Sequence, residues 1–221
     1  MVEIIQNEHN KNQLSSLIYS NFKQESKPFN HLYIENFFNR EYALSLYQKA
    51  SCIPSSNYKL HKTGYNYALF ADKEFYNFVY SDDFLRFIYN SFNLNISRSK
   101  YYKYPQVYKF DPSFRGLPIH NDFNQNRDFT VIFYLSPDWN PSFGGELFLY
   151  DKKYISILNN DRNSVGQVRN KSASEEAEVK KVSPYFNLFF AFQISQFSWH
   201  SVSAVLNGWT RYALIVDFDK R

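Results

Sequence analysis

The residues of this chain with the clearest chemical meaning are a His-x-Asp motif and a distant histidine. His120 and Asp122 lie in Leu-Pro-Ile-His-Asn-Asp-Phe (residues 117–123), and His200 lies in Phe-Ser-Trp-His-Ser-Val (residues 197–202). Side chains at positions i and i+2 of an extended strand share one face, so His120 and Asp122 point the same way. Two histidines and one carboxylate are the ligand set of a non-haem Fe(II) centre with open coordination positions. Taken alone, a His-x-Asp pattern is more typical of a surface histidine beside an aspartate.

A second feature is an arginine at the head of an apolar segment. Arg211 lies 11 residues after His200 and opens the run Arg-Tyr-Ala-Leu-Ile-Val. If this arginine is buried it needs an anionic partner, because an unpaired buried charge is strongly unfavourable. A planar guanidinium can bind a carboxylate through two parallel hydrogen bonds. The alternative is a solvated arginine at a strand start, paired with Asp217 or Asp219.

Together these residues resemble the motifs of the 2-oxoglutarate/Fe(II)-dependent dioxygenases: His-x-Asp, a distant histidine, and an arginine 11 residues later. Finer features resemble the prolyl 4-hydroxylase branch and occur in the family's order along roughly residues 100–219. The matching segments are residues 127–135 (Arg-Asp-Phe-Thr-Val-Ile-Phe-Tyr-Leu), 138–139 (Asp-Trp), 144–147 (Gly-Gly-Glu-Leu), 188–190 (Leu-Phe-Phe) and 210–213 (Thr-Arg-Tyr-Ala).

The resemblance implies a role for each of these residues. His120, Asp122 and His200 would hold Fe(II), and Arg211 would bind the distal carboxylate of 2-oxoglutarate. The implied cofactor is Fe(II), the implied co-substrates are 2-oxoglutarate and O₂, and ascorbate is expected as an added reductant. Related halogenases lack the carboxylate ligand, so Asp122 argues against halogenation.

The resemblance extends to residues around the co-substrate. Tyr134 matches a tyrosine whose hydroxyl helps to hold the 2-oxoglutarate carboxylate, and Thr130 on the same strand face is expected to line the pocket. Arg127 matches a position near the substrate entrance. Some relatives carry a tyrosine where this chain has Phe110. Tyr108, two residues earlier on the same face, is the expected substitute for that phenol.

The activity implied by the resemblance is hydroxylation of an unactivated C–H bond in a prolyl residue of a protein or peptide, with 2-oxoglutarate and O₂ converted to succinate and CO₂. Hydroxylation of a free amino acid or a small biosynthetic intermediate is the alternative within the family. An alternative of another class is a non-oxygenase, cupin-like barrel that binds a metal, a glycan or a partner protein. Nucleic-acid demethylases of the superfamily carry a second arginine where this chain has Asp217, so no nucleic-acid partner is expected.

A site of this kind needs a scaffold that brings distant segments together, and the second half of the chain supplies strand patterns. Short runs rich in Tyr, Phe, Val and Ile, separated by turn residues, predict strands. They lie at residues 100–110, 128–135, 146–150, 153–158, 186–193, 198–205 and 210–218. This pattern suggests a barrel or jelly roll, and the resemblance implies a fold that is mainly β with α: a double-stranded β-helix, the cupin-like jelly-roll barrel.

The first half of the chain has a different pattern, with broad apolar faces at helical spacing. Helices are predicted at residues 2–22 and 36–50 and as a pair within residues 72–92, and short strands at residues 29–34 and 67–70. Asp82 is the expected N-cap of the second helix of the pair. We therefore expect one domain over residues 1–221, with a mostly helical support region at 1–95 and the catalytic β-helix core at 96–221.

Composition narrows the class of protein further. Aromatic residues make up 20% of the chain, which is too much apolar material for a disordered protein. Most of these aromatics are expected to pack between sheet and helices, with Tyr108 and Trp199 as pocket walls. The single cysteine, Cys52, excludes an internal disulfide and is expected to be a buried, inert thiol.

Charge and hydropathy give expectations about location and partners. The net charge of +4 is dispersed, unlike the concentrated basic stripe of a nucleic-acid binder. No apolar run is long enough to span a bilayer and no secretory signal is recognisable, so we expect no membrane association and a cytoplasmic location. Polar residues 159–181 are expected to form a lid, a binding loop or a disordered insert. The oligomeric state stays open.

Overall fold

The computed structural model describes residues 22–94, 104–123, 127–151 and 179–219 of the chain. Its described part contains three α-helices: α1 (Arg40–Ser51), α2 (Lys73–Val79) and α3 (Asp82–Ser91). Each begins after a residue whose side chain accepts a hydrogen bond from a backbone N–H three residues later, namely Asn39, Asp72 and Ser81. The predicted N-cap Asp82 is therefore wrong by one residue, because the Ser81 hydroxyl caps α3.

The strands form two antiparallel sheets. In chain order they are β1 (Phe22–Glu25), β2 (His31–Ile34), β3 (Lys59–Leu60), β4 (Asn66–Leu69), β5 (Gln106–Phe110), β6 (Leu117–His120), β7 (Arg127–Tyr134), β8 (Leu147–Tyr150), β9 (Val179–Val182), β10 (Leu188–Gln193), β11 (His200–Val202) and β12 (Arg211–Asp219). The major sheet has the order β1-β2-β10-β7-β12-β5-β4-β3, and the minor sheet has the order β6-β11-β8-β9. Mainly β architecture with supporting helices is as predicted.

The two faces of the major sheet have different functions, and the alternation of side chains along each strand separates them. On β7, Phe129, Val131 and Phe133 point to the helices, where Phe133 packs 5.1 Å from the ring centroid of Phe75. Ile132 and Tyr134 of the same strand point to the minor sheet. The strands β10 and β12 alternate in the same way. One face therefore builds a core under the helices, and the other forms the interior between the sheets.

Most of the strand predictions correspond to observed strands. Each of eight predicted segments overlaps one: β2, β4, β5, β7, β8, β10, β11 and β12. Strands β1, β3, β6 and β9 lie outside the predicted segments. They are short, and Phe-Lys-Gln-Glu, Leu-Pro-Ile-His and Val-Lys-Lys-Val lack a run of aromatic or β-branched residues. The predicted strand at residues 153–158 lies outside the described residues.

Other expectations for the chain have a different outcome. The predicted helix at residues 2–22 lies outside the described residues except for Phe22, which begins β1, and the predicted loop at 159–181 is described only from Val179, where β9 begins. Residues 22–94 supply four strands of the major sheet as well as the three helices, so the boundary near residue 95 does not separate helices from β-structure.

Cys52 is exposed, so the expected burial of its thiol is wrong. No helix among the described residues is long and apolar enough to cross a membrane.

The helix–sheet core is tested with two leucines on strands of the same sheet. Leu214 on β12 is fully buried in this core, whereas Leu69 on β4 is 57% exposed. Leu214→Ala should lower the free energy of unfolding by about 2–5 kcal/mol, since it removes buried methyl groups and leaves a cavity. Leu69→Ala should change it by less than about 1 kcal/mol. Urea denaturation followed by circular dichroism measures both values, and similar losses would contradict the assigned core.

Candidate active site

A cavity of about 670 Å³ opens between the two sheets. Its wall includes five of the predicted site residues, His120, Asp122, Thr130, His200 and Arg211, whereas Tyr134 is buried behind the wall. The minor sheet contributes His120 from β6 and His200 from β11, and the major sheet contributes Thr130 from β7 and Arg211 from β12. Residues far apart in sequence are thus brought to one place by strand pairing. The polar groups among otherwise apolar and aromatic walls make this the candidate site.

His120, Asp122 and His200 form a group whose ligand atoms all lie within 4.8 Å of one another. His200 is directly opposite His120 in the β6–β11 pair, with ring centroids 4.2 Å apart. Asp122 Oδ1 is 3.7 Å from His120 Nε2, and Asp122 Oδ2 is 3.9 Å from His200 Nε2. The arrangement could hold one divalent metal ion through two imidazoles and a carboxylate.

Each of the two histidine rings is oriented by the backbone carbonyl two residues earlier in the chain. His120 Nδ1 lies 2.7 Å from the carbonyl oxygen of Pro118, and His200 Nδ1 lies 2.8 Å from that of Ser198. When each Nδ1–H donates to its carbonyl, the lone pair of each Nε2 faces the group. Burial and the neighbouring His120 lower the pKa of His200 to about 4. His200 is therefore neutral near pH 7, the state in which imidazole binds a metal.

Arg211 is only 2% exposed, so the alternative of a solvated arginine at a strand start is wrong. Its guanidinium lies between two aromatic rings, 4.6 Å from the centroid of Phe110 and 4.8 Å from that of Tyr134. Its Nη1 donates to the carbonyl oxygen of Gly145 at 2.8 Å. The Arg211 Nε and the Tyr134 hydroxyl are buried and have no hydrogen-bond partner. Two unsatisfied polar groups, one of them cationic, are suited to bind an anion at this end of the cavity.

The turn Gly144-Gly145 places the carbonyl that Arg211 contacts. Gly144 has φ 67° and ψ −151°, a region open almost only to glycine. A Cβ at Gly144 would lie 2.1 Å from the carbonyl oxygen of Ala204, and one at Gly145 would lie 3.5 Å from Arg211 Cδ. Glycine is therefore needed at 144 so that the turn can approach the backbone at Ala204, just after β11, whereas at 145 it is favoured by the left-handed φ of 76°.

A further group of charged and polar side chains lies beside the His-Asp-His group. Arg127 Nη1 is 3.4 Å from Asp122 Oδ2, and Arg127 Nη2 is 2.9 Å from Asp217 Oδ2. Thr130 donates its hydroxyl to Asp217 Oδ1 at 2.8 Å. Thr130 thus lines the cavity as expected, with its hydroxyl directed to Asp217. From the sequence alone, Asp217 is an alternative partner of Arg211, but in the structure Asp217 pairs with Arg127.

Aromatic residues from β4, β5 and the turn before β4 form one wall of the cavity. His61 stacks on Tyr65 with centroids 4.5 Å apart, and Tyr65 stacks on Tyr108 at 4.6 Å. Tyr108 is therefore a pocket wall, as predicted, whereas Trp199 packs against the cluster of Ile119 and Tyr150 and does not line this cavity. His61 and Tyr65 were not predicted, because only the pairing of β4 with β5 brings their hairpin to the site.

Comparison with known proteins adds a family match and several relatives. A family model described as the 2OG-Fe(II) oxygenase superfamily matches residues 105–217. The prolyl 3-hydroxylase OGFOD1 of Xenopus laevis is 33% identical over 91 residues, which are 41% of this chain but only 14% of that protein. The chain thus spans about one seventh of the length of this curated relative.

Two solved structures are similar over nearly the whole chain. A prolyl hydroxylase from Trichoplax adhaerens, in complex with a hypoxia inducible factor oxygen degradation domain peptide, has a TM-score of 0.58 at 18% identity, covering 99% of this chain and 93% of that one. A Pseudomonas putida prolyl-4-hydroxylase has a TM-score of 0.60 at 14% identity, covering 96% and 99%. At this level of identity the likeness shows the fold, and the prediction of a double-stranded β-helix is confirmed.

The strained glycine turn gives a prediction with a matched control. Gly144 and Gly208 both have positive φ, but a Cβ meets the Ala204 oxygen only at Gly144, whereas Gly208 has open space. Gly208→Ala should lower the free energy of unfolding by about 1 kcal/mol, the penalty for a left-handed alanine. Gly144→Ala should lower it by at least about 3 kcal/mol, because strain and the backbone clash add. Urea denaturation compares them, and equal losses would argue against the tight turn.

Proposed function

Because the chain belongs to the 2OG-Fe(II) oxygenase superfamily, we propose that it hydroxylates an unactivated C–H bond in a prolyl residue of a protein or peptide. Members of this superfamily use Fe(II) as cofactor and 2-oxoglutarate and O₂ as co-substrates, as its name states. One observation carries the proposal: a His-Asp-His group and a buried arginine with an unsatisfied donor lie in the same cavity.

The donor set fits Fe(II). Two imidazole nitrogens and one carboxylate lie close enough to share one ion, and this combination is typical of non-haem Fe(II) oxygenases. The hydrogen bonds of His120 and His200 to backbone carbonyls keep each Nε2 free for the metal. We therefore assign His120, Asp122 and His200 as the metal ligands. Bound iron supplies the oxidising chemistry, in which 2-oxoglutarate and O₂ give succinate and CO₂ and one oxygen atom enters the substrate.

The anion site fits the distal carboxylate of 2-oxoglutarate. The Arg211 Nε and the Tyr134 hydroxyl are buried donors that lack partners, and a carboxylate placed between them would satisfy both. Burial raises the pKa of Tyr134, so its hydroxyl keeps its proton and can donate. Phe110 occupies the position where some relatives have tyrosine, and its ring covers the guanidinium. Arg211 and Tyr134 are thus the proposed co-substrate ligands, with Thr130 in the same wall.

The remaining walls suit a prolyl side chain. Tyr65, Tyr67 and Tyr108 line the cavity, and the apolar methylenes of a pyrrolidine can pack against such aromatic side chains. Relatives support this assignment, since OGFOD1 is named a prolyl 3-hydroxylase and the similar Trichoplax structure holds a peptide. Ascorbate as reductant, a cytoplasmic location and the absence of nucleic-acid and membrane partners stay predictions from the sequence.

The proposed reaction is tested on peptides. Purified protein with Fe(II), 2-oxoglutarate and O₂ should form succinate and add the mass of one oxygen atom to proline-containing peptides, but not to matched peptides with alanine. His120→Ala should abolish both products, because a metal ligand is lost. Free proline and a panel of small metabolites run in parallel, and oxidation of those alone would identify a small-molecule hydroxylase. If no succinate forms and no charge-transfer band appears on anaerobic addition of Fe(II) and 2-oxoglutarate, the oxygenase assignment is wrong.

The co-substrate site is tested by conservative substitutions. Arg211→Lys should raise the KM for 2-oxoglutarate by roughly 10–100-fold, because lysine keeps the charge but cannot donate two parallel hydrogen bonds to a carboxylate. Tyr134→Phe should raise it by about 10-fold through loss of one hydrogen bond to a charged group. Arg115→Lys, a change on the exposed surface, is the control and should leave KM unchanged. Calorimetric titration of the Mn(II)-loaded protein with 2-oxoglutarate measures the affinities without turnover, and unaltered affinity in Arg211→Lys would refute the assignment.

A further inference from the structure

Arg127 lies between two carboxylates in the cavity wall. Its Nη1 is 3.4 Å from Oδ2 of Asp122, and its Nη2 is 2.9 Å from Oδ2 of Asp217. The side chains are only 12–17% exposed, so these charges interact more strongly than they would in water. The guanidinium thus connects a proposed metal ligand to a carboxylate that is not part of the His-Asp-His group.

Asp217 is itself held in a fixed orientation by the major sheet. The β7–β12 register places Asp217 directly opposite Thr130, and the Thr130 hydroxyl donates to Asp217 Oδ1 at 2.8 Å. One carboxylate oxygen therefore faces Thr130, and the other faces Arg127. Because β7 and β12 are neighbouring central strands, this carboxylate is a firm anchor for the arginine.

Asp122 needs an orienting contact more than the histidines do. It lies two residues beyond the end of β6, outside the hydrogen-bonded strand pair, and has φ 54°, a left-handed conformation that aspartate adopts more often than most residues. The rings of His120 and His200 are oriented by the carbonyls of Pro118 and Ser198. The ion pair with Arg127 provides the corresponding contact for the carboxylate.

We propose that Arg127, anchored by Asp217 and Thr130, is a positioning residue that orients the Asp122 carboxylate for metal binding. The inference rests on the proposed metal site. It assigns a role to the charged pair Arg127 and Asp217, which the proposed reaction does not otherwise use. A hydrogen bond from an outer residue fixes a metal-binding side chain and improves its affinity for the ion. A purely electrostatic effect would have the opposite sign, because removing a positive charge near the site would strengthen cation binding.

The test measures the affinity of the protein for Co(II), a spectroscopically visible substitute for Fe(II), by calorimetry and visible absorption. Arg127→Gln should weaken Co(II) binding by roughly 10–100-fold, which is the usual effect of removing a residue that hydrogen-bonds to a metal ligand. Arg127→Lys should restore part of this loss, since it keeps a donor and the charge. Lys62→Gln removes a positive charge from the same cavity wall and should leave the affinity within about two-fold of the original.

Asp217→Asn should weaken Co(II) binding by less than Arg127→Gln does, and it should have no further effect in the Arg127→Gln background. Additive losses would show that Asp217 acts independently, and equal or tighter Co(II) binding by Arg127→Gln would overturn the positioning role. Urea denaturation of the metal-free proteins separates this role from a structural one, since a merely structural arginine would lower stability without changing the Co(II) spectrum. If the unchanged protein does not bind Co(II), the metal site itself is wrong and the inference falls with it.

Discussion

The antiparallel pairing of β6 with β11 is the constraint on which the site depends. It places His200 directly opposite His120, although the two residues are 80 positions apart in the chain. Asp122 follows His120 by two residues and turns back to the pair through a left-handed backbone conformation. All other parts of the site are arranged around this cross-strand pair: the anion site at Arg211, the arginine at Arg127 and the aromatic wall of the hairpin.

The alternation of side chains along the strands of the major sheet serves both the stability of the fold and the chemistry of the cavity. The outward side chains of β7, β10 and β12 are apolar and aromatic and pack under the helices, which supplies the stability. The inward side chains of β7 and β12 include Thr130, Arg211 and Asp217, which line the cavity, and Tyr134, which packs against Arg211. A shift of one residue in register would exchange these sets, so core packing also fixes which groups reach the cavity.

Burying a guanidinium with an unsatisfied Nε is unfavourable for the unliganded protein. Two aromatic faces and one backbone carbonyl compensate Arg211 only in part, and burial lowers its pKa. A bound carboxylate would complete the set of partners. The Tyr134 hydroxyl likewise lacks a partner, and this incomplete pairing is the physical reason to expect an anion at that end of the cavity.

Several parts of the fold and the site could be predicted because their signal is local. Short runs rich in Tyr, Phe, Val and Ile located eight strands, and the His-x-Asp spacing identified two candidate ligands. Strand β3, with two residues, and the polar β1 and β9 carry too little of that signal, and the α3 cap is displaced by one position because Ser81 and Asp82 are both good caps. Trp199 and Cys52 were assigned by residue type, which does not reveal the side of a strand or the end of a helix that faces solvent.

The sequence by itself determined the chemical identities in the site: two histidines, a carboxylate, a tyrosine and an arginine. Only the tertiary structure decided their partners. Arg211 is separated from Asp217, which instead binds Arg127; Arg127 contacts Asp122; and the hairpin of His61 and Tyr65 joins the cavity. The physical reason is that side-chain alternation follows from the local backbone, whereas strand register and the packing of two sheets depend on contacts between distant segments.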